Sequence, residues 1–118
     1  MSEEENFRLS GLDTIGHLTR LRGRYEQHGL DAVAWELLLE LLRAERSERR
    51  LSVSALAVSV HGTSTTTMLR RVAELQARGY LARTPDSRDR RRSFVELTEM
   101  ARELLVDYLA RVDDCLAI

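Results

Sequence analysis

Apolar residues in the first part of the chain recur at spacings of three and four. Between about Asn6 and Gln27 they are Phe7, Leu9, Leu12, Ile15, Leu18, Leu21 and Tyr25, the stripe of an amphipathic helix. Residues 1–6 are polar and read as a frayed end. Gly11, Gly16 and Gly23 each weaken the helix by about 1 kcal/mol relative to Ala, so packing must hold it. Gly29 fits a helix stop and Asp31 an N-cap. A second helix, Ala32 to Arg46, is apolar on more than one face through Val33, Ala34, Trp35, Leu37, Leu38, Leu39, Leu41 and Leu42. That predicts a central place in the core and a structural role for Trp35. Ser47 to Arg50 form a polar connector.

The middle of the chain carries a denser pattern. Ser52 caps a short third helix with Leu56 and Ala57 inward, and His61-Gly62 ends it. Gly62 can take the positive φ of a tight interhelical turn. His61 is read as a turn or phosphate-contacting residue, because no Cys, His or carboxylate is spaced to join it around a metal. Thr63 or Ser64 caps a fourth helix over residues 64–78, with Met68, Val72 and Leu75 facing the core and Leu69 and Ala73 at the edges. Gly79 stops it. Tyr80 to Thr84 read as a strand, Pro85 and Asp86 open a charged loop through Arg92, and Ser93 to Leu97 return as a strand. Thr98 opens a last helix whose stripe is Leu97, Ala101, Leu104, Leu105, Tyr108, Val112 and Leu116, close to a heptad seam. Helix, turn, helix, hairpin is the layout of a winged helix-turn-helix. The expected fold is therefore mainly α with a small β-hairpin wing and about five helices.

Length and composition bound this picture. At 118 residues with 43% apolar content the chain forms one domain with a thin core, which calls for association surfaces. We expect a single winged-helix domain, with residues 1–30 as an N-terminal dimerisation helix, 31–97 as the DNA-binding winged helix and 98–118 as a C-terminal dimerisation helix. The net charge of −1 argues against a polyanion partner until its distribution is read. Residues 1–51 carry 8 Arg against 10 acids, residues 52–96 carry 8 Arg against 4, and residues 97–118 carry 2 against 5. Positive charge is gathered in the central module, where it would face phosphate. Every Lys/Arg position is Arg, a side chain whose fork suits guanine and phosphate.

Two clusters carry the chemistry. Thr65, Thr66 and Thr67 are poor helix formers, costly unless used. They open the fourth helix, where hydroxyls and free N–H groups can meet phosphate oxygens and base edges. Arg70 and Arg71 follow within two turns. In the loop, Arg88, Arg90, Arg91 and Arg92 crowd a tip between short strands, a density of like charge that makes sense against a polyanion. Asp86 and Asp89 are expected to pair with neighbouring Arg and shape the loop. The expected DNA-binding residues are thus Thr65, Thr66, Thr67, Arg70 and Arg71 toward the major groove, and Arg88, Arg90 and Arg91 toward the minor groove or backbone.

Other classes find little support. No nucleophile sits with a base, no ligand spacing fits a metal and no Gly-rich phosphate loop is present, so neither an enzyme nor a cofactor is expected. The single Cys115, beside Asp113 and Asp114, leaves no disulfide framework and is given no redox role. No apolar run approaches the roughly 18 residues of a membrane span. The acidic Met-Ser-Glu-Glu-Glu start does not read as a signal peptide. A cytoplasmic location is the expectation.

Arg78-Gly79-Tyr80-Leu81, then Arg83, then Asp86-Ser87-Arg88-Asp89-Arg90-Arg91, then Val95-Glu96-Leu97-Thr98 form a series that resembles the MarR family of transcriptional regulators. Thr66-Thr67-Met68-Leu69-Arg70-Arg71-Val72 similarly resembles the start of that family's recognition helix. The likeness covers about Trp35 to Leu105. It implies a homodimer on a pseudo-palindromic operator, usually a repressor released by a small molecule or by oxidation. One helix fits after Thr98 where the family pattern has two, which suggests a short form. We expect partners to be double-stranded DNA, a second copy through residues 7–27 and 97–116, and a small-molecule effector or partner protein. The alternative is a winged-helix protein-interaction module that binds a regulatory partner without specific DNA binding of its own.

Overall fold

The computed structural model describes residues 2–26, 28–60 and 62–116, apart from the side chain of Arg8. The turn assigned to His61 and the helix end assigned to Gln27 lie outside them. In chain order the elements are α1 (Glu3–Glu26), α2 (Ala32–Arg46), β1 (Leu51–Ser52), α3 (Val53–Ser59), α4 (Thr65–Ala77), β2 (Leu81–Pro85), β3 (Ser93–Leu97) and α5 (Glu99–Leu116). They fall into two compact units, residues 31–105 and residues 1–30 with 106–118.

In the unit of residues 31–105 each helix starts on a side chain that satisfies an otherwise orphaned backbone donor. The Ala34 N–H donates to the Asp31 carboxylate at 2.9 Å, the Ala55 N–H to the Ser52 hydroxyl at 3.2 Å and the Thr67 N–H to the Ser64 hydroxyl at 3.2 Å. Thr98 does more. Its hydroxyl donates to the Gly79 carbonyl at 2.7 Å and accepts from the Ala101 N–H at 3.3 Å, so one side chain ties the end of α4 to the start of α5. Gly79 has φ +84°, and a Cβ there would meet only the Met100 methyl at 3.8 Å. Its glycine is required by the left-handed backbone and not by crowding.

The core of this unit is read from burial. Trp35, Leu37, Leu38, Leu41 and Leu42 of α2 are buried, as are Leu56 and Ala57 of α3 and Met68, Val72 and Leu75 of α4. Helix α3 packs on α4, α4 on β2, and α2 reaches both α3 and β3. The expected two-strand hairpin has a third member. The sheet order is β1-β3-β2, with Leu51 opposite Val95 and Ser52 opposite Phe94 on one side of β3 and Leu81 opposite Leu97 through Pro85 opposite Ser93 on the other. Two residues are too few to carry a strand pattern, so β1 has no signature of its own. Pro85 ends β2 and does not lie in the turn; because β2 is an edge strand, its missing N–H is tolerated.

The other unit holds α1 and the end of α5. Helix α1 starts at Glu3, within the stretch read as a frayed end. The Glu5 N–H donates to the Ser2 hydroxyl at 3.1 Å, and Glu3, Glu4 and Glu5 suit the positive end of the helix. Leu21 and Tyr25 are buried, whereas Phe7, Leu9, Leu12 and Ile15 are exposed. The Tyr25 hydroxyl donates to the Asp107 carboxylate, and the Tyr25 ring meets Tyr108 edge-on with centroids 5.1 Å apart. Burial pushes the Tyr25 hydroxyl above its ordinary value. Accepting that hydroxyl's hydrogen bond holds Asp107 below the usual carboxylate value. On α5, Ala101 and Leu105 are buried, Leu104, Tyr108 and Val112 half-buried, and Leu116 exposed.

Leu56, fully buried where α3 meets α4, tests this core. Leu56→Ala is expected to lower stability by about 2–5 kcal/mol through lost transfer energy and a cavity, read as a lower urea midpoint with an unchanged slope. A loss below about 1 kcal/mol would remove Leu56 from the core as described.

Candidate nucleic-acid interface

Helix α4 divides sharply. Met68 and Val72 are fully buried and Leu75 nearly so, which turns the opposite face outward. On that face Thr66 and Arg70 are exposed, with Leu69 and Ala73 beside them; Thr65, three residues before Met68, is exposed as the first residue of the helix. Thr67 is half-buried, and its hydroxyl accepts from the Ser64 hydroxyl at 3.1 Å, so it belongs to the cap. Arg71 is also committed within the fold. Its guanidinium lies 2.5 Å from the Asp31 carboxylate. Asp31 is held below its ordinary value, first by the Ala34 N–H and then by Arg71. Of the five residues expected on this helix, Thr66 and Arg70 stand outward, Thr65 is exposed at its start, and Thr67 and Arg71 are tied to caps.

The loop between β2 and β3 is built around Asp86. The Asp86 N–H donates to the Arg92 carbonyl at 3.0 Å, and the Arg92 N–H donates to the Asp89 carbonyl at 3.0 Å. The Asp86 side chain, 6% exposed, accepts from the Arg88 N–H at 2.9 Å. It also accepts from the Arg92 Nε at 3.0 Å and Nη2 at 2.8 Å. This forked pair is the strong arrangement for a guanidinium and a carboxylate. The Arg88 N–H first, and then Arg92, hold the Asp86 carboxyl below the usual range. Asp89 repeats the device with the Arg91 N–H at 3.0 Å. Both aspartates therefore shape the loop, as expected. Arg92 is turned onto Asp86 with its side chain still half-exposed, and Arg88, Arg90 and Arg91 are exposed, the Arg91 side chain at 93% although its Nε lies 3.4 Å from Asp89.

Arg50 was read only as part of a connector. Its guanidinium lies 4.2 Å from the Phe94 ring centroid and 2.8 Å from the Glu96 carboxylate. It therefore braces β3 beside the wing. The pairing of β1 with β3 puts it there, and that pairing has no sequence signal. Among the described residues no cluster of His, Cys, Asp or Glu could hold a metal ion, and no helix is long and apolar enough to cross a membrane. The arrangement offers hydroxyls, the start of a helix and exposed arginines that include Arg70, Arg88, Arg90 and Arg91. Such a surface can hold phosphates and read base edges; it contains no reactive pair.

The Asp86 contacts have a pH signature. A carboxyl lowered in the folded state contributes fully above its unfolded value of 3.8 and is lost as pH falls through the lower native value. The Arg88 amide is expected to stay protected from hydrogen exchange near neutrality and to lose protection only as pH falls below 3.8. In Asp86→Ala the protection should be absent at all pH values. Unchanged exchange in the variant would show that Asp86 does not hold the loop.

A model of the MarR family matches residues 28–92. No curated protein matches the chain at a significant level. Solved structures do. A MarR-family transcriptional regulator from Rhodococcus sp. RHA1 is 27% identical, with a TM-score of 0.62 over 98% of this chain and 77% of that one. A transcriptional regulator from Thermotoga maritima is 23% identical, with a TM-score of 0.69 over 97% and 77%. A variant of MepR from S. aureus bound to an oligodeoxyribonucleotide is 17% identical, with a TM-score of 0.76 over 97% and 78%. The family match covers more than half of the sequence, and the winged-helix order of elements agrees with it: the chain belongs to the MarR family of transcriptional regulators.

Proposed function

We propose that the protein is a dimeric repressor that binds a two-fold symmetric operator in double-stranded DNA. Helix α4 enters the major groove with Thr65, Thr66, Thr67, Arg70 and Arg71. The wing carries Arg88, Arg90 and Arg91 to the minor groove or the flanking backbone. The observation that carries this reading is the Asp86 staple. It pairs with Arg92 and fixes the loop while leaving Arg88, Arg90 and Arg91 exposed, in a chain that also exposes Thr66 and Arg70 on α4. Thr66 and Arg70 form the outward row, with Thr65 exposed at the helix start. Thr67 acts through the cap, and Arg71 reaches DNA only by leaving Asp31. MepR has been solved with an oligodeoxyribonucleotide and with ethidium bromide, which supports DNA as the target and a small molecule as effector. The homodimer is formed through residues 7–27 and 97–116, whose exposed apolar residues include Phe7, Leu12, Ile15, Val106, Leu109 and Leu116. The reading carries no enzymatic step, and the protein works in the cytoplasm.

Selection of bound duplexes from a random pool is expected to return a symmetric site with half-sites about one helical turn apart. On that site Arg90→Ala should weaken binding to most sequences and reduce the salt slope by about 1, whereas Arg70→Ala should also relax base preference. Weak binding with no enriched sequence would favour a module that acts through a regulatory protein partner. Unchanged binding in both variants would exclude this docking.

A further inference from the structure

We propose that the unit of residues 31–105 binds a free α-amino acid with an aliphatic side chain, its ammonium on Glu48 and its carboxylate on Arg49. The inference rests on the small-molecule effector of the reading above and gives it a place and a chemical class. A cavity of about 330 Å³ opens between the end of α2, β1 and β3. Its floor is aliphatic: Leu41, Ala44, Leu51, Val95 and Leu97 line it, and all five are buried. Ligand pockets run from about 300 to 1,000 Å³, so this one suits a molecule of amino-acid size.

The rim is charged, and most of that charge is already matched. Glu45 lies 2.5 Å from Arg102, and Glu96 lies 2.8 Å from Arg50. Glu48 and Arg49 also line the cavity. Among the described residues their side chains make no hydrogen bond or ion pair. One carboxylate and one guanidinium, adjacent in the chain, are therefore left at the mouth of an apolar cavity. A zwitterion that carries an aliphatic side chain is the complement of that pattern. A simple organic cation would leave Arg49 unmatched, and a simple carboxylate would leave Glu48 unmatched.

The backbone marks the same two residues. The Arg49 N–H donates to the Ala44 carbonyl at 2.8 Å, and the Glu48 N–H donates to the Glu45 carbonyl at 3.1 Å. These are the two bonds of a Schellman stop, which ordinarily places Gly in the left-handed position and an apolar residue after it. Here the left-handed residue is Glu48, with φ +55°, and Arg49 follows it. Neither departure helps to end the helix, and both put charge on the rim of the cavity. Strain kept where glycine would relieve it points to a use for the side chain.

Isothermal titration calorimetry of the full chain without DNA tests the site, with L-leucine, L-isoleucine and L-valine as probes. At least one is expected to bind with a Kd of about 1 mM or below. The leucine analogues 4-methylpentanoate and 3-methylbutylamine lack the ammonium and the carboxylate in turn, and glycine lacks the side chain. Each should bind at least about tenfold more weakly than the best probe. Glu48→Gly is expected to raise the melting temperature, because glycine takes this φ freely, and to weaken the amino acid at least about tenfold. Arg49→Gln should weaken it as much and leave the melting temperature unchanged. Binding of none of the three amino acids, or equal binding of the amine, would overturn the proposal. So would a Glu48→Gly chain that keeps full affinity. A failed operator selection would leave the site standing, because no DNA enters the titration.

Discussion

Four arginines within five residues of one loop repel one another, and a loop so charged holds one shape only if part of that repulsion is cancelled from inside. The Asp86 carboxylate does this. It takes both arms of Arg92 and the Arg88 N–H at once, so a single buried charge closes the turn and removes one arginine from the crowd. The remaining three are displayed from a fixed backbone. Such preorganisation lowers the ordering cost of meeting a polyanion. It also explains why an acidic residue sits in a surface whose other charges suit phosphate.

The rest of the reading head is held by equally local devices. Asp31, Ser52, Ser64 and Thr98 each start a helix, and Thr98 also bonds the backbone at the end of α4. Between these caps, the apolar rows of α2, α3 and α4 close the core. Helix α4 gains its outward face because Met68, Val72 and Leu75 occupy the inward one, so the display of Thr66 and Arg70 follows from burial on the other side.

Much of this could be read from the residues alone, because the signals are short-range. The span of α2 follows from Asp31 and its apolar run, and the start of α4 from Ser64. The pairing of Asp86 and Asp89 with the loop follows from their position among arginines. What escaped depends on contacts distant in sequence. Strand β1 exists because Leu51 and Ser52 meet Val95 and Phe94, and two residues carry no pattern. Arg50 acquires its place only through that pairing. The commitment of Arg71 to Asp31 crosses 40 positions, so spacing on α4 could mark Arg71 as outward but not as occupied. The early start of α1 was hidden because three glutamates look like a solvated tail until Ser2 caps them.

The Asp31–Arg71 pair makes the free protein carry its own competitor. A phosphate that approaches Arg71 finds a carboxylate already bound there, and Asp31 is at the same time the cap of α2. Transfer of Arg71 to an incoming oxygen would exchange one anion for another and gain little net charge attraction, while the cap would lose its counter-ion. A ligand with correctly placed groups elsewhere could drive that exchange, and a loosely held polyanion could not. Under the proposed docking of α4, this part-exposed pair would act as a threshold, separating a sequence that fits from the bulk of the polymer that merely attracts.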